Sequence, residues 1–195
     1  LDYEVYALLQ QGDDARAREL VKNTDTLTAK LHVAATTAYA LAAMPARLEL
    51  EVHQWKAAAD LPMPDTSRFA WKKFPQWEAL LFYGKGLGAA RSGNTAVAEQ
   101  SLDRLTTLQS QLGDAPPTKY WYDQMEKAAD LEDATVKNPV SPGELLPARE
   151  LLGDMLMEMG KSADALAAYE ACLTTRPNRL NLLYGAGYAA EKSGD

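Results

Sequence analysis

Apolar and small residues recur at three- and four-residue steps through most of this 195-residue chain. That spacing lines one face of an α-helix, whereas a half-buried β-strand would alternate apolar and polar residues. No run alternates over the length of a strand. The pattern therefore predicts an all-α protein. The periodic stretches are residues 3–11, 15–21, 29–44, 77–91, 97–112, 148–159, 163–173 and 180–190.

Turn-forming residues separate these stretches. Glycine and proline end helices and allow the chain to reverse. The interruptions fall at Gly12, Pro62, Pro64, Gly93, residues 113–117, residues 139–143, Gly160 and Pro177.

The helical stretches are also similar to one another. With Gly12, His53, Gly93 and Gly160 taken as turns, an alanine follows each turn after five residues. These alanines are Ala17, Ala58, Ala98 and Ala165. A glycine precedes each of the turns at Gly93, Gly160 and Gly194 by seven residues, at Gly86, Gly153 and Gly187. The spacing from Gly160 to Gly194 is 34 residues, and that from Gly93 to Gly160 is 67, nearly twice as long. Such regular spacing is typical of a helical-repeat protein.

Residues 146–195 carry the pattern most completely. The matching positions there are Leu152, Gly153, Leu156, Gly160, Ala165, Tyr169, Cys172, Pro177, Ala186, Gly187 and Gly194. This segment resembles the tetratricopeptide repeat. The match is less complete in 77–112 and degenerate in 2–24 and 45–61. The segments "DYEVYALLQQGDDARAREL", "FYGKGLGAARSGN" and "LEDATVKNPVSPGELLPARELLGDML" are similar to the C-terminal part of long bacterial tetratricopeptide proteins.

The resemblance implies a right-handed superhelical array of antiparallel helix pairs, a tetratricopeptide-like α-solenoid. It also implies that Gly153, Ala165 and Cys172 lie buried where helices approach closely. Five segments are predicted. Residues 1–61 form degenerate helix pairs, 62–76 an irregular aromatic-rich connection, and 77–112 a helix pair. Residues 113–146 form an irregular segment with one helix and a chain discontinuity, and 147–195 contain the best-matching repeat and the first helix of the next.

Two segments depart from the repeat. In 62–76 and at the residue that follows it, Phe69, Trp71, Phe74 and Trp77 either form a binding edge or fold back over the side of the array, and folding back is the favoured interpretation. In 119–133 no turn residue allows the chain to reverse. Either this is an unusual single helix, or the chain is discontinuous near residues 125–129. Relatives carry a further helix and turn there, which favours the discontinuity.

Composition narrows the classes of partner. Twenty-seven acidic against 20 basic residues give a net charge of −7, whereas a nucleic-acid binder would present a basic face. The same charge disfavours binding to an anionic membrane surface. The longest uncharged run, residues 31–46, is too short and too polar to span a bilayer. The chain opens on Leu1 within a helical pattern, which indicates that the true N-terminus is absent and leaves the compartment open.

Residues with catalytic or metal-binding chemistry are few. His32 and His53 lie in different helical units without metal-ligand spacing, and Cys172 falls on the predicted buried face of its helix. Glu150 and Asp154 are four residues apart, a spacing that is more often a helical surface pair than an acid–base pair. No phosphate-binding loop, nucleophile elbow or metalloprotease motif is present. The sequence therefore predicts no catalytic residue, no cofactor and no metal.

The resemblance also implies a concave surface lined by the first helix of each repeat. It carries over to Asp2, Tyr6, Gln10, Leu80, Tyr83, Leu87, Glu150, Asp154, Glu158, Asn181, Tyr184 and Tyr188. This surface is either a solvated acidic stripe with partly buried tyrosines or a tyrosine-lined groove for a basic or apolar protein segment. The lysine and asparagine clamp with which some relatives hold a C-terminal carboxylate is not evident.

Three functional hypotheses follow. The leading one is a helical-repeat scaffold or adaptor that binds a segment of another protein. The alternative is a regulatory or accessory module of a larger protein whose active region lies outside this chain. An enzyme is disfavoured because the residues needed for catalysis are not found together.

Overall fold

The computed structural model describes residues 1–27, 33–62, 69–112, 130, 134 and 144–194. Within these residues the secondary structure is helical and contains no strand, which confirms the all-α prediction for them. His32 and the expected discontinuity near residues 125–129 lie outside the described residues. The nine α-helices of the described part are α1 (Asp2–Gln10), α2 (Asp14–Leu27), α3 (Ala35–Glu51), α4 (Trp55–Ala59), α5 (Pro75–Arg91), α6 (Thr95–Leu112), α7 (Ala148–Glu158), α8 (Ser162–Leu173) and α9 (Leu180–Ser193), and Trp71–Lys73 form a 3-10 turn.

The chain divides into two compact units. The first unit contains Leu1–Leu9 and Asp13–Pro116, and the second contains Gln10–Gly12 and Pro117–Asp195. The predicted segments 62–76 and 77–112 fall in the first unit, as does 1–61 except for residues 10–12. The best-matching repeat, 147–195, falls in the second unit.

The first unit is built around α3 and α5. A hydrophobic cluster joins α1, α2 and α3 through Val5, Leu8, Leu9, Ala17, Met44 and Leu48. Helix α5 packs against α3, α4 and α6. It approaches α4 closely at Gly88, where an added Cβ atom would lie 2.5 Å from the Cβ atom of Ala58. Because α5 and α6 are joined by three residues and pack on each other, they form an antiparallel hairpin.

The second unit contains a hairpin of α7 and α8 with α9 packed against both helices. Its core consists of Ala165, Tyr169, Cys172, Leu182 and Ala189. Gly153, Ala165 and Cys172 are all buried, as predicted. The close approach at Gly153 explains why α7 carries a residue of low helix propensity, since an added Cβ atom there would lie 2.5 Å from the Tyr169 ring.

The residues taken as turns share one backbone conformation. Gly12, Gly93, Gly160 and Gly194 have φ between 72° and 82°, and His53 has φ 52°. Positive φ is the region that glycine enters at little cost, so His53 is the unusual member. Its imidazole stacks on the Trp55 ring, with 4.8 Å between ring centroids.

The repeat positions are only partly equivalent in three dimensions. Ala17, Ala58 and Ala165 are fully buried, whereas Ala98 is half-buried. Among the glycines, an added Cβ atom at Gly86 would meet Ser101 at 3.0 Å, whereas one at Gly187 would meet nothing within 4 Å. The helical hairpins agree with the repeat pattern, and the superhelical arrangement remains a prediction.

The aromatic connection folds back onto the first unit where the structure describes it. Phe69 and Trp71 are buried, and their ring centroids lie 5.1 Å apart in an edge-to-face contact. Phe74 stacks on Phe69 at 5.7 Å, and Trp77 meets the Tyr39 ring edge-on at 5.1 Å. The favoured interpretation is therefore confirmed for Phe69 and Trp71, and a binding edge made by these two residues is excluded by their burial.

Candidate functional site

The residues predicted to line one surface are divided between the two units. The first unit contains Asp2, Tyr6, Leu80, Tyr83 and Leu87. The second unit contains the other predicted residues of the set: Gln10, Glu150, Asp154, Glu158, Asn181, Tyr184 and Tyr188.

In the first unit, Asp2 and Tyr6 lie beside a buried arginine. Arg47 of α3 has no solvent exposure, and its guanidinium lies 5.5 Å from the centroid of the Tyr6 ring. The Arg47 Nε atom is 3.6 Å from the Oδ1 atom of Asp2, and its Nη2 donates to the Tyr39 hydroxyl at 3.3 Å. Burial raises the pKa of the Asp2 carboxyl, and the charge of Arg47 partly opposes this. Asp2 is therefore a structural partner of Arg47 and does not line an open surface.

Tyr83 and Leu87 lie on α5 and differ in exposure. Tyr83 is 38% exposed, and Leu87 is half-buried. They are spaced by four residues and so share one side of the helix. Tyr83 and the half-buried Tyr6 are both less exposed than Tyr184 and Tyr188 of the second unit.

In the second unit, the prediction that Glu150 lines the concave surface is wrong, because the residue is buried. Its side chain is 1% exposed and forms an ion pair with Arg179, which immediately precedes α9. Arg179 donates to Glu150 from both Nε and Nη2, and the Nη2–Oε1 distance is 3.0 Å. Because this carboxylate is buried and neutralised, it cannot receive a partner. The spacing of Glu150, Asp154 and Glu158 places them on similar sides of a helix, but it does not reveal which of them a neighbouring element covers.

Asp154 lies beside a tyrosine that joins three helices. The Tyr169 hydroxyl of α8 donates to the Oδ1 atom of Asp154 at 2.7 Å. The Tyr169 ring also lies close to Gly153 of α7 and Gly185 of α9, where added Cβ atoms would be 2.5 and 2.7 Å from the nearest ring atom. Asp154 is thus held against Tyr169 of α8, and its Oδ2 atom is buried. Glu150 and Asp154 have different partners, which does not support an acid–base pair.

Among the residues of the second unit that the structure describes, the most exposed aromatic side chains lie on α9. Tyr184 is 73% exposed and Tyr188 is 43% exposed. Their rings are nearly parallel, with an interplanar angle of 9° and centroids 6.3 Å apart. The ammonium of Lys192 lies 5.3 Å from the Tyr188 centroid. Asn181 shares this side of α9 and is half-buried, and Glu158 of α7 is exposed.

Five residues of the second unit therefore form the candidate site, here named the tyrosine face. It consists of Asp154, Glu158, Asn181, Tyr184 and Tyr188. Three contacts that define its surroundings were not predicted from the sequence: the pairing of Arg179 with Glu150, the contact between Tyr169 and Asp154, and the close approach at Gly185. Arg179 and Glu150 are 29 residues apart, so no local pattern links them. The glycine-rich run of α9, "GAG", was the available signal for close packing at Gly185.

Cys172 lies in the core of the second unit and has no chemical access. Its side chain is fully buried, and burial raises the pKa of the thiol from its ordinary value of 9.0 to about 11. The charge of Arg176 opposes this rise, with Nη1 3.5 Å from the sulfur. A thiol that keeps its proton is a poor nucleophile and metal ligand.

In the ranges that the structure describes, no group of three or more His, Cys, Asp or Glu side chains is arranged to hold a metal ion. Among the helices that the structure describes, none combines the length and apolar character needed to cross a membrane.

Comparison with known proteins gave no relative. No family model, no curated protein and no solved structure matches this chain. The tetratricopeptide resemblance therefore depends on the residue pattern and remains a prediction.

Proposed function

We propose that this chain is a helical-repeat scaffold or adaptor that binds a segment of another protein on the tyrosine face. The observation that carries the proposal is the exposure of Tyr184 beside its parallel neighbour Tyr188. Tyrosine provides a large, rigid surface with a polar end, and it is enriched among residues that dominate binding energy in protein interfaces.

The rest of α9 supports this interpretation. Leu180 and Leu183 are 43% and 51% exposed on the same helix. Leu182 and Ala189 of α9 are buried against the hairpin of α7 and α8. A helix with apolar residues on both its buried and its exposed sides is typical of one that is covered by another molecule or segment.

The tyrosine face is also fixed in place before any partner binds. The buried Glu150–Arg179 pair joins α7 to the start of α9, and Tyr169 contacts both helices. A surface that is already ordered loses less conformational entropy on binding than a flexible one does. This rigidity favours a binding role for the exposed tyrosines.

Site-specific photo-crosslinking tests the proposal. A benzophenone amino acid in place of Tyr184 is expected to crosslink one defined segment of a partner protein, identified by peptide mass spectrometry. The same amino acid in place of Tyr3, which is 54% exposed on α1, is the matched control. Crosslinking at Tyr184 should disappear when Tyr188→Ala is added. Equal products from the Tyr184 and Tyr3 positions would contradict the proposal.

A further inference from the structure

We infer that the partner segment is an amphipathic α-helix of another protein, which packs antiparallel on α9 and places a large side chain over Gly187. This inference rests on the proposed function and specifies the form of the segment. It concerns the exposed stripe of α9, defined here as Leu180, Leu183, Tyr184 and Gly187. These residues are spaced at i, i+3, i+4 and i+7, so they follow one side of the helix.

Gly187 corresponds in position to two glycines that are covered by a second helix. Gly86, Gly153 and Gly187 each lie seven residues before a glycine with φ between 72° and 82°. An added Cβ atom at Gly86 would lie 3.0 Å from the Cβ atom of Ser101 in α6, and one at Gly153 would lie 2.5 Å from the Tyr169 ring in α8. At Gly187, no neighbouring group among the described residues lies within 4 Å of an added Cβ atom. The side of the helix that is covered in α5 and α7 is therefore open in α9.

Leu183 supports the same correspondence. Leu183 and Phe82 each lie eleven residues before the turn glycine that ends their helix. Phe82 is buried, and α6 contributes Arg104, whose guanidinium lies 5.9 Å from the centroid of the Phe82 ring. Leu183 is exposed. An apolar side chain that a second helix helps to cover in α5 thus faces outwards in α9.

An apolar stripe on a helix favours a helical partner over an extended one. An extended segment gains much of its affinity from main-chain hydrogen bonds to the edge of a sheet. The described residues of the second unit contain no strand, and the backbone groups of α9 are bonded within the helix. A segment that buries its backbone against this stripe must therefore satisfy its own N–H and C=O groups, as an α-helix does.

The hairpins of the chain also indicate the orientation and the side chains of the partner helix. The covering helices α6 and α8 run antiparallel to the helices that carry Gly86 and Gly153. Tyr169 shows that an aromatic ring can lie directly over such a glycine. We therefore expect an antiparallel helix with apolar residues three and four apart, one of them large and placed over Gly187.

Crosslink mapping along α9 tests the inference with the full chain. A benzophenone amino acid replaces Leu180, Leu183, Tyr184 or Glu191, one position at a time, and the crosslinked residues of the partner are identified by peptide mass spectrometry. Leu180 and Glu191 are about 16 Å apart along the helix axis. A helix spans this distance with about eleven residues, whereas an extended segment needs about five. We expect crosslinked residues about eleven apart, in the reverse order of α9.

A pair of variants tests the close approach at Gly187. Tryptophan at this position occupies the space that the partner helix needs, so Gly187→Trp should lower the crosslink yield at Leu183 at least about tenfold. Ala171 is a small, exposed residue of α8, and Ala171→Trp should leave the yield unchanged. Circular dichroism checks that both variants are folded. Equal yields from the two variants would overturn the inference.

The order and spacing of the crosslinks separate this inference from the function on which it rests. Crosslinks to one partner that span about five residues, or that run in the same order as α9, overturn the inference and leave the proposed function standing. Crosslinks only to this chain would show that the chain itself or a second copy covers α9, and would overturn the inference. If no crosslink forms at any position, both the inference and the proposed function are wrong.

Discussion

At the scale of single residues, the glycines of the helices show how far a sequence pattern can be interpreted. The distance of Gly153 from its turn predicted close packing, and its contact with Tyr169 confirms that prediction. Gly187 stands at the same distance from the next turn, yet nothing lies within 4 Å of its added Cβ atom. Spacing therefore identifies candidates for close packing, but only the neighbouring helix determines whether the space is filled.

This pair of glycines gives a matched stability test. Gly153→Ala should lower the free energy of unfolding by about 1–3 kcal/mol, because the new methyl group overlaps the Tyr169 ring. Gly187→Ala should raise it by about 0.5–1 kcal/mol, because alanine favours the helix and meets no neighbour. Urea unfolding followed by circular dichroism measures both. Shifts of the same sign would show that the two positions are packed alike.

Cys172 gives a second test at this scale, through pH. Its pKa in the folded protein is about 11, above the ordinary value of 9.0, so the folded state holds the thiol proton more tightly than the unfolded state. The resulting stabilisation is fully present below pH 9 and is lost as the pH rises towards 11. Iodoacetamide at pH 8 should alkylate the folded protein roughly a hundredfold more slowly than the urea-unfolded protein, because less thiolate is present.

A cysteine-free variant serves as the control for this test. Cys172→Ala should lose less stability than the wild type between pH 9 and 11, since it has no thiol to ionise. Rapid alkylation of the folded wild type at pH 8 would contradict the burial of this side chain.

At the scale of elements, the sequence predicted the helices well and their charged contacts poorly. Hydrophobic periodicity and turn glycines are local properties, so they located the hairpin of α5 and α6 and that of α7 and α8. The position of Glu150 on α7 gave no indication of its burial, because its partner Arg179 lies beyond the next helix. The buried Arg47 was missed for the same reason, since folding alone brings its charged partner Asp2 of α1 to α3.

The Glu150–Arg179 pair gives a test at this scale. Glu150→Gln removes one charge and leaves Arg179 buried without its counter-ion, so the free energy of unfolding should fall by about 3–5 kcal/mol. Glu150→Met with Arg179→Met replaces both charges by apolar side chains of similar length, and it should recover most of this loss. Thermal unfolding of the two proteins provides the comparison. A double variant no more stable than Glu150→Gln would show that the pair contributes more than mutual neutralisation.

At the scale of the whole molecule, the candidate surface could be predicted only in part. Periodicity assigned an all-α fold, and the tetratricopeptide resemblance placed Tyr184 and Tyr188 on an accessible side of α9, where both are exposed. The same reasoning joined residues of the first and second units into one surface, whereas each unit has its own core. Contacts between distant segments depend on tertiary packing, which one-dimensional spacing does not encode.

The Tyr169 ring between Gly153 and Gly185 has a consequence for how this protein can change over evolutionary time. The Tyr169 ring fills the volume that side chains at positions 153 and 185 would otherwise occupy. A larger residue at either glycine therefore requires a smaller one at position 169. A smaller residue at position 169 would in turn remove the hydrogen bond to Asp154. We therefore expect these positions to covary among homologues, with loss of the tyrosine hydroxyl accompanied by substitution of Asp154.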